Sequence, residues 1–156
     1  MPSPPPVPSP GSLGVRALNL LTWLHVAAYR RTGGRIGRKL AGAPVLLLDH
    51  IGRRSGTPRT TPLLYLDDGE DLVIVGSRGG SNAPPAWWLN LEASPRTTVQ
   101  VGPRHREVAA RTASPDEKAR LWPRLVAMYS DYQTYQNRTE REIPVIILEP
   151  GSALPA

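Results

Sequence analysis

Three arginines, Arg53, Arg54 and Arg59, surround a tight turn in the run GRRSGTPRTTPLLY from Gly52 to Tyr65. Apolar, strand-like segments flank that turn, Val45 to Asp49 before it and Thr60 to Leu66 after it, so a hairpin makes the three guanidiniums neighbours. Guanidinium forks match phosphate oxygens bidentately, and the run Ser55, Gly56, Thr57, Pro58 and Thr60 adds amide and hydroxyl groups with little bulk. The pattern describes an anion cradle. A second loop, Ser77-Arg78-Gly79-Gly80, follows the next strand-like segment, and its two glycines let backbone approach a ligand closely. Two indoles, Trp87 and Trp88, stand at the head of a short helix. Tyr129, Tyr132 and Tyr135 recur every three residues in a chain with only five tyrosines. Phenols with a reference pKa near about 10 stay protonated at neutral pH and can donate to an oxygen that gains negative charge.

The segments GRRSGTPRTTPL, GSRGG, PAWWLNLEASPR, MYSDYQTYQ and IPVIILEP stand in one consistent order between Val45 and Pro150. Together they resemble the deazaflavin-dependent nitroreductase and quinone reductase family, split β-barrel proteins that use reduced coenzyme F420, an 8-hydroxy-5-deazaflavin. Several spaced motifs matching in order carry more weight than any one alone. The resemblance implies a phosphate of the coenzyme in the Arg53, Arg54 and Arg59 cradle. It implies the planar ring against Ser77, Arg78 and Gly79, with Trp87 as a ring-side wall and Trp88 in packing. Tyr129, Tyr132 and Tyr135 then line the acceptor pocket, with Ser77 beside the reactive edge, and the acceptor is a quinone, a nitroaromatic or an activated enone. The chain departs from the family pattern at Arg78, where relatives often carry lysine, at Leu64, where a tyrosine stands nearby, and at Asp49-His50-Ile51 in place of threonines. Leu64 and His50 are expected to border the acceptor pocket and not the cradle. Asp131, Glu140 and Arg141 read as solvated surface.

Bulk properties narrow the alternatives. At 156 residues the chain is one domain's worth, large enough to bury about 70% of its unfolded surface. The formal charge of +6 implies an anionic partner. With no cysteine, disulfides, thiolate metal sites and cysteine nucleophiles are excluded, and His25, His50 and His105 lack ligand spacing, so no metal is expected. No G-x-S-x-G is present, and no recognition motif supports a nucleic-acid partner. Two other readings stay open: a non-catalytic deazaflavin-binding or storage protein, and a flavin-mononucleotide-dependent split-barrel oxidoreductase.

These groups must be positioned by a six-stranded, mostly antiparallel α+β split barrel with flanking helices over 41–150. Its strands are Val45 to Asp49, Thr60 to Leu66, Asp71 to Gly76, Thr97 to Val101, Arg106 to Thr112 and Pro144 to Leu148. Ser114-Pro115-Asp116-Glu117 is a capping box with proline at the first helical position, predicting a helix to about Met128. Residues 1–12 read as a disordered proline-rich arm, 13–40 as a helix and linker, and 151–156 as a tail. The helix, Leu13 to Arg31, carries an apolar stripe of Leu13, Ala17, Leu21, Leu24 and Ala28. Arg16, Asn19 and His25 prevent it from spanning a bilayer, leaving docking on the barrel or peripheral contact with the inner face of the cell membrane. A cytoplasmic location and a monomer or homodimer are expected. Removal of everything before about Thr32 should leave the barrel folded.

Overall fold

The computed structural model describes residues 13–151. The proline-rich arm at 1–12 and the tail from 152 onward lie outside the described residues. Helix α1 (Leu13–Thr32) is followed by β1 (Lys39–Leu40), β2 (Ala43–Ile51), β3 (Pro58–Leu64), β4 (Leu66–Asp68) and β5 (Asp71–Val75). Then come α2 (Ala86–Ala93), β6 (Arg96–Val101), β7 (Arg104–Thr112), α3 (Pro115–Met128), α4 (Asp131–Arg138) and β8 (Val145–Pro150). Among the described residues every strand pairing is antiparallel.

The barrel runs β2-β6-β7-β8-β5-β4, and the chain itself leads from β4 back to β3, which pairs with β2. The expected strand Thr60 to Leu66 is therefore two strands in one place. Leu64 pairs with Val45 of β2, whereas Leu66 pairs with Val73 of β5. Between them, the Tyr65 N–H donates to the Pro44 carbonyl at 3.1 Å, and the Tyr65 side chain enters the core. This change of partner leaves a seam between β3 and the end of β5 that no ladder closes. The two-residue β1 is an addition to the expected set.

Strand alternation builds two faces, both buried. Leu46, Leu48, Leu72, Ile74, Val99, Val108, Ile146 and Leu148 pack inside, and α2 inserts Trp87, Trp88 and Leu91 among them. Val73, Val75, Val145 and Ile147 point outward beneath Leu121 and Leu125 of α3 and Tyr132 of α4. Period-2 strands covered on both faces read as continuous apolar runs, which is why VLLL, DLVIV and VIIL stand out in the sequence. The capping box of α3 forms as expected: Ser114 Oγ accepts from the Glu117 N–H, and the Glu117 carboxylate accepts from the Ser114 N–H. Such a cap stabilises a helix by about 1 kcal/mol.

Helix α1 does not dock by its predicted stripe. Leu13, Leu21 and Leu24 are exposed, as are Leu18, Leu20 and Trp23. The anchor lies at the C-terminal end, where Tyr29 is fully buried against Val45 and Leu47. Its hydroxyl donates to the Val45 carbonyl at 2.9 Å and accepts from the Gly102 N–H at 2.8 Å. Next to it, Arg30 donates to Asp49 at 2.6 Å, Thr60 at 3.0 Å and Gln100 at 3.2 Å. Hydrogen-bonding residues outside the apolar pattern thus decide where the helix sits.

Candidate active site

The arginine hairpin forms between Ile51 and Pro58, the last paired residues of β2 and β3. Its turn is held by its own backbone: Gly52 N–H donates to the Thr57 carbonyl at 2.9 Å and Gly56 N–H to the Gly52 carbonyl at 2.7 Å, with Gly56 at φ +68°. Ser55 Oγ accepts from the Thr57 N–H at 3.2 Å. Arg53, Arg54 and Arg59 are exposed, and among the described residues none of them meets a carboxylate. Arg30, Arg111, Arg120 and Arg124, by contrast, are all paired with acids. Positive charge left unneutralised on a pre-formed turn suits an anionic ligand. Thr60 contributes less than its position suggests, because its hydroxyl is committed to Asp49 Oδ1 at 2.6 Å.

His50 lies under this cradle, contrary to the expectation that it borders the acceptor pocket. It pairs across the ladder with Arg59, and its ring is buried. Nδ1 contacts Asn90 Nδ2 at 2.9 Å, Nε2 contacts Thr61 Oγ1 at 2.9 Å, and Asn90 Oδ1 accepts from the Arg53 N–H at 3.0 Å. Inward alternation on β2 turns residue 50 toward α2, away from the tyrosines. Leu64, on the outward face of β3, does pack against the cluster that contains them.

The Ser77 loop emerges from β5, which runs antiparallel to β4, so it heads back along β3 toward the hairpin end of the barrel. Its backbone is unusual: Arg78 has φ +43°, followed by Gly79 at +61° and Gly80 at +80°. A non-glycine residue there is disfavoured by about 1–2 kcal/mol, so the surroundings must impose it. Arg141 is the clamp. Its Nε donates to the Ser81 carbonyl at 2.7 Å, Nη2 to Ser77 at 2.9 Å and to Gly76 at 3.1 Å, and Nη1 to Gly76 at 3.2 Å. Burial, helped by the charge of Arg78, lowers the Arg141 pKa from its ordinary value. Arg141 is thus no solvated surface residue, and a lone arginine between polar neighbours gave no sequence signal of its carbonyl cluster. A side chain at Gly80 would meet the Tyr135 carbonyl at 2.8 Å, which ties the loop to α4. Gly79 faces open space, and the Ser77 hydroxyl has no protein partner among the described residues.

The three tyrosines come together across a break between helices. Tyr129 caps α3, while Tyr132 and Tyr135 belong to α4. The hydroxyls of Tyr129 and Tyr135 lie 3.0 Å apart, and the Tyr129 and Tyr132 rings meet edge to face with centroids 5.0 Å apart. The Tyr135 hydrogen bond and burial push the Tyr129 pKa up, and burial, together with Tyr135, raises that of Tyr132. Tyr129 and Tyr132 therefore stay phenols well above neutral pH. Trp87 and Trp88 are equally sunk into the barrel core, so no difference in burial singles out Trp87 as a wall.

The hairpin thus borders the unpaired seam on the β3 side, and the Ser77 loop with α4 borders it on the β5 side. No group of three or more potential metal ligands occurs among the described residues. A curled antiparallel sheet with one unpaired seam and a cationic turn beside it defines a split-barrel protein with a turn suited to an anionic ligand. The sequence matches the F420H(2)-dependent quinone reductase family over residues 21–150, and the chain belongs to that family, an enzyme family that uses reduced coenzyme F420 as hydride donor. It is 42% identical over 140 residues to an F420H(2)-dependent quinone reductase of Mycobacterium tuberculosis, covering 87% of this chain and 91% of that protein. Among solved structures, an F420-H2 dependent reductase is 34% identical, with a TM-score of 0.63 over 68% of this chain and 94% of that one. A chain described as a domain-swapped dimer is 29% identical, with a TM-score of 0.65 over 87% of this chain and 97% of its own.

Proposed function

We propose that this chain passes hydride from reduced coenzyme F420 to a quinone, with nitroaromatics and activated enones as further acceptors. The observation that carries the reading is the pairing of an unneutralised arginine hairpin with a cluster of tyrosine hydroxyls on opposite sides of one unpaired seam. The residues suit the coenzyme's parts: Arg53, Arg54 and Arg59 offer charge-assisted bonds to a phosphodiester, and open Gly79 with the free Ser77 hydroxyl offers a flat face and a donor. When bound, the coenzyme supplies the hydride, and the protein supplies orientation and electrostatics. The hairpin would hold the anionic end of the coenzyme, and the Ser77 loop would contact its ring. Tyr129 and Tyr135 share one internal hydrogen bond, which polarises the remaining O–H, and the neighbouring Asp131 carboxylate competes with an acceptor oxygen for that proton. Titration with oxidised coenzyme F420 and with flavin mononucleotide, followed by oxidation of the reduced coenzyme with a quinone, tests this. Binding without turnover of any acceptor supports the storage reading, and preferential binding of flavin mononucleotide overturns the choice of coenzyme.

Helix α1 suits peripheral contact with an anionic membrane face. Residues 1–48 hold six lysines and arginines and no acid, so they carry the whole formal charge of +6, while the remainder is neutral. Exposed Leu13, Leu18, Leu20, Leu21 and Trp23 add apolar area to that charge. No helix among the described residues is long and apolar enough to cross a membrane. Sedimentation with anionic and neutral vesicles checks the contact, and the elution volume in gel filtration distinguishes monomer from homodimer.

A further inference from the structure

The hydrogen bonds beneath the hairpin admit only one assignment of protons. Asn90 Oδ1 accepts from the Arg53 N–H at 3.0 Å, because a backbone amide can only donate. Its amide nitrogen must then face His50 Nδ1, at 2.9 Å, and donate to it. His50 Nδ1 is consequently an acceptor without a proton, and the ring's single proton sits on Nε2, which donates to Thr61 Oγ1 at 2.9 Å. His50 and Asn90 are both buried, so a mismatched donor pair here has no water to relieve it.

We propose that His50 and Asn90 are positioning residues for the coenzyme cradle, holding the Arg53 backbone in place only while the His50 ring is neutral. This rests on the reading of the hairpin as the coenzyme's phosphate site. Protonation of Nδ1 sets donor against donor at Asn90. Rotation of the amide relieves that contact, but it turns Nδ2 toward the Arg53 N–H and guanidinium, breaking both bonds by which Asn90 Oδ1 ties the turn to α2. The charged groups acting on the ring are Arg59, opposite it in the ladder, and Asp49, beside it on β2. Burial, followed by the Arg59 charge, lowers the His50 pKa, against a smaller upward pull from Asp49. The neutral ring therefore prevails at pH 7, and the cradle loosens as the pH falls through a pKa below 6.5. A bound anion pulls the other way by favouring imidazolium, so the pH profile of binding reads which influence dominates.

The test combines two measurements. Nitrogen-15 NMR of the ligand-free protein at neutral pH should show His50 as the Nε2–H tautomer with an unprotonated Nδ1; the opposite tautomer overturns the proton assignment. Titration with oxidised coenzyme F420 between about pH 5 and 7.5 should show affinity falling toward acid in the parent protein. In His50→Asn, whose side-chain oxygen replaces the Nδ1 acceptor and does not titrate, the extra loss at low pH should vanish. Asn90→Leu should weaken binding by about tenfold at pH 7. Parental affinity in Asn90→Leu, or the same acid loss in His50→Asn, overturns the relay. Affinity unchanged on removal of the hairpin arginines would instead refute the cradle reading, a result independent of the two relay variants.

Discussion

Tyr129 and Tyr135 meet hydroxyl to hydroxyl at 3.0 Å although one caps α3 and the other belongs to α4. A phenol pair of this kind has two protons and one internal bond, so removing either hydroxyl removes the polarised donor. Tyr129→Phe and Tyr135→Phe are each expected to lower kcat for quinone reduction, with about 2–4 kcal/mol as the ceiling for a well-placed donor. Coenzyme affinity should stay within about threefold, under about 0.7 kcal/mol, because the anionic end is held elsewhere. Steady-state rates with equilibrium binding check this, and parental kcat in both variants would reduce the pair to packing.

Tyr132 is buried, and its hydroxyl has no protein partner among the described residues. Its ring packs on Tyr129, so Tyr132→Phe should keep the fold and Tyr132→Ala should not. Loss of such a buried aromatic side chain costs about 3–5 kcal/mol. Thermal unfolding of the two variants separates the ring's packing from the hydroxyl's chemistry.

Arg141→Met should release the Ser77 loop, because the guanidinium accounts for bonds to three carbonyls and methionine accounts for none. Each lost charge-assisted bond is worth about 1.5–3 kcal/mol before solvent replaces it. The expected result is a lower Tm and lost turnover, with only partial rescue by Arg141→Lys, which lacks the planar fork. Full activity in Arg141→Met would show that the positive φ at Arg78 is sustained without the clamp.

What could be read from the sequence was what alternation and turn chemistry encode. The barrel strands, the capping box at Ser114 and the arginine hairpin all rest on local patterns, and the structure contains them. The change of partner at Tyr65 was not legible, because Thr60 to Leu66 is one uninterrupted strand pattern and only tertiary pairing divides it. Arg141 and Asn90 were missed for the same reason: their partners lie 60 or more and 37 or more residues away. Family motifs pointed to the tyrosines, whereas the gap between α3 and α4 that brings Tyr129 to Tyr135 carries no periodic signal.

The depth of α1's anchor changes the expected tolerance to truncation. Removing the chain before His25 takes away the exposed Leu13, Leu18, Leu20, Leu21, Trp23 and Leu24 but keeps the His25 bond to the Gly37 carbonyl and the Tyr29 anchor, and should preserve Tm and coenzyme affinity while reducing binding to anionic vesicles. A cut before Thr32 also removes Tyr29 and Arg30, leaving the Val45 carbonyl, the Gly102 amide and Asp49 without these partners. That longer truncation should be strongly destabilised, contrary to the sequence expectation. Equal stability of the two truncated proteins would refute the anchor.

The hairpin gives the most direct test of the coenzyme assignment. Arg53, Arg54 and Arg59 have no acidic partners among the described residues, so replacing them leaves no buried charge orphaned. The triple alanine variant should therefore fold with a near-parental Tm. Its affinity for oxidised coenzyme F420 should fall at least tenfold, about 1.4 kcal/mol, at physiological salt. Because the cations are exposed, screening weakens their attraction, and the parent's affinity should drop more steeply with added salt than that of the variant. Titration at low and high ionic strength reads both effects. A triple variant with parental affinity and parental salt dependence would move the phosphate away from this turn.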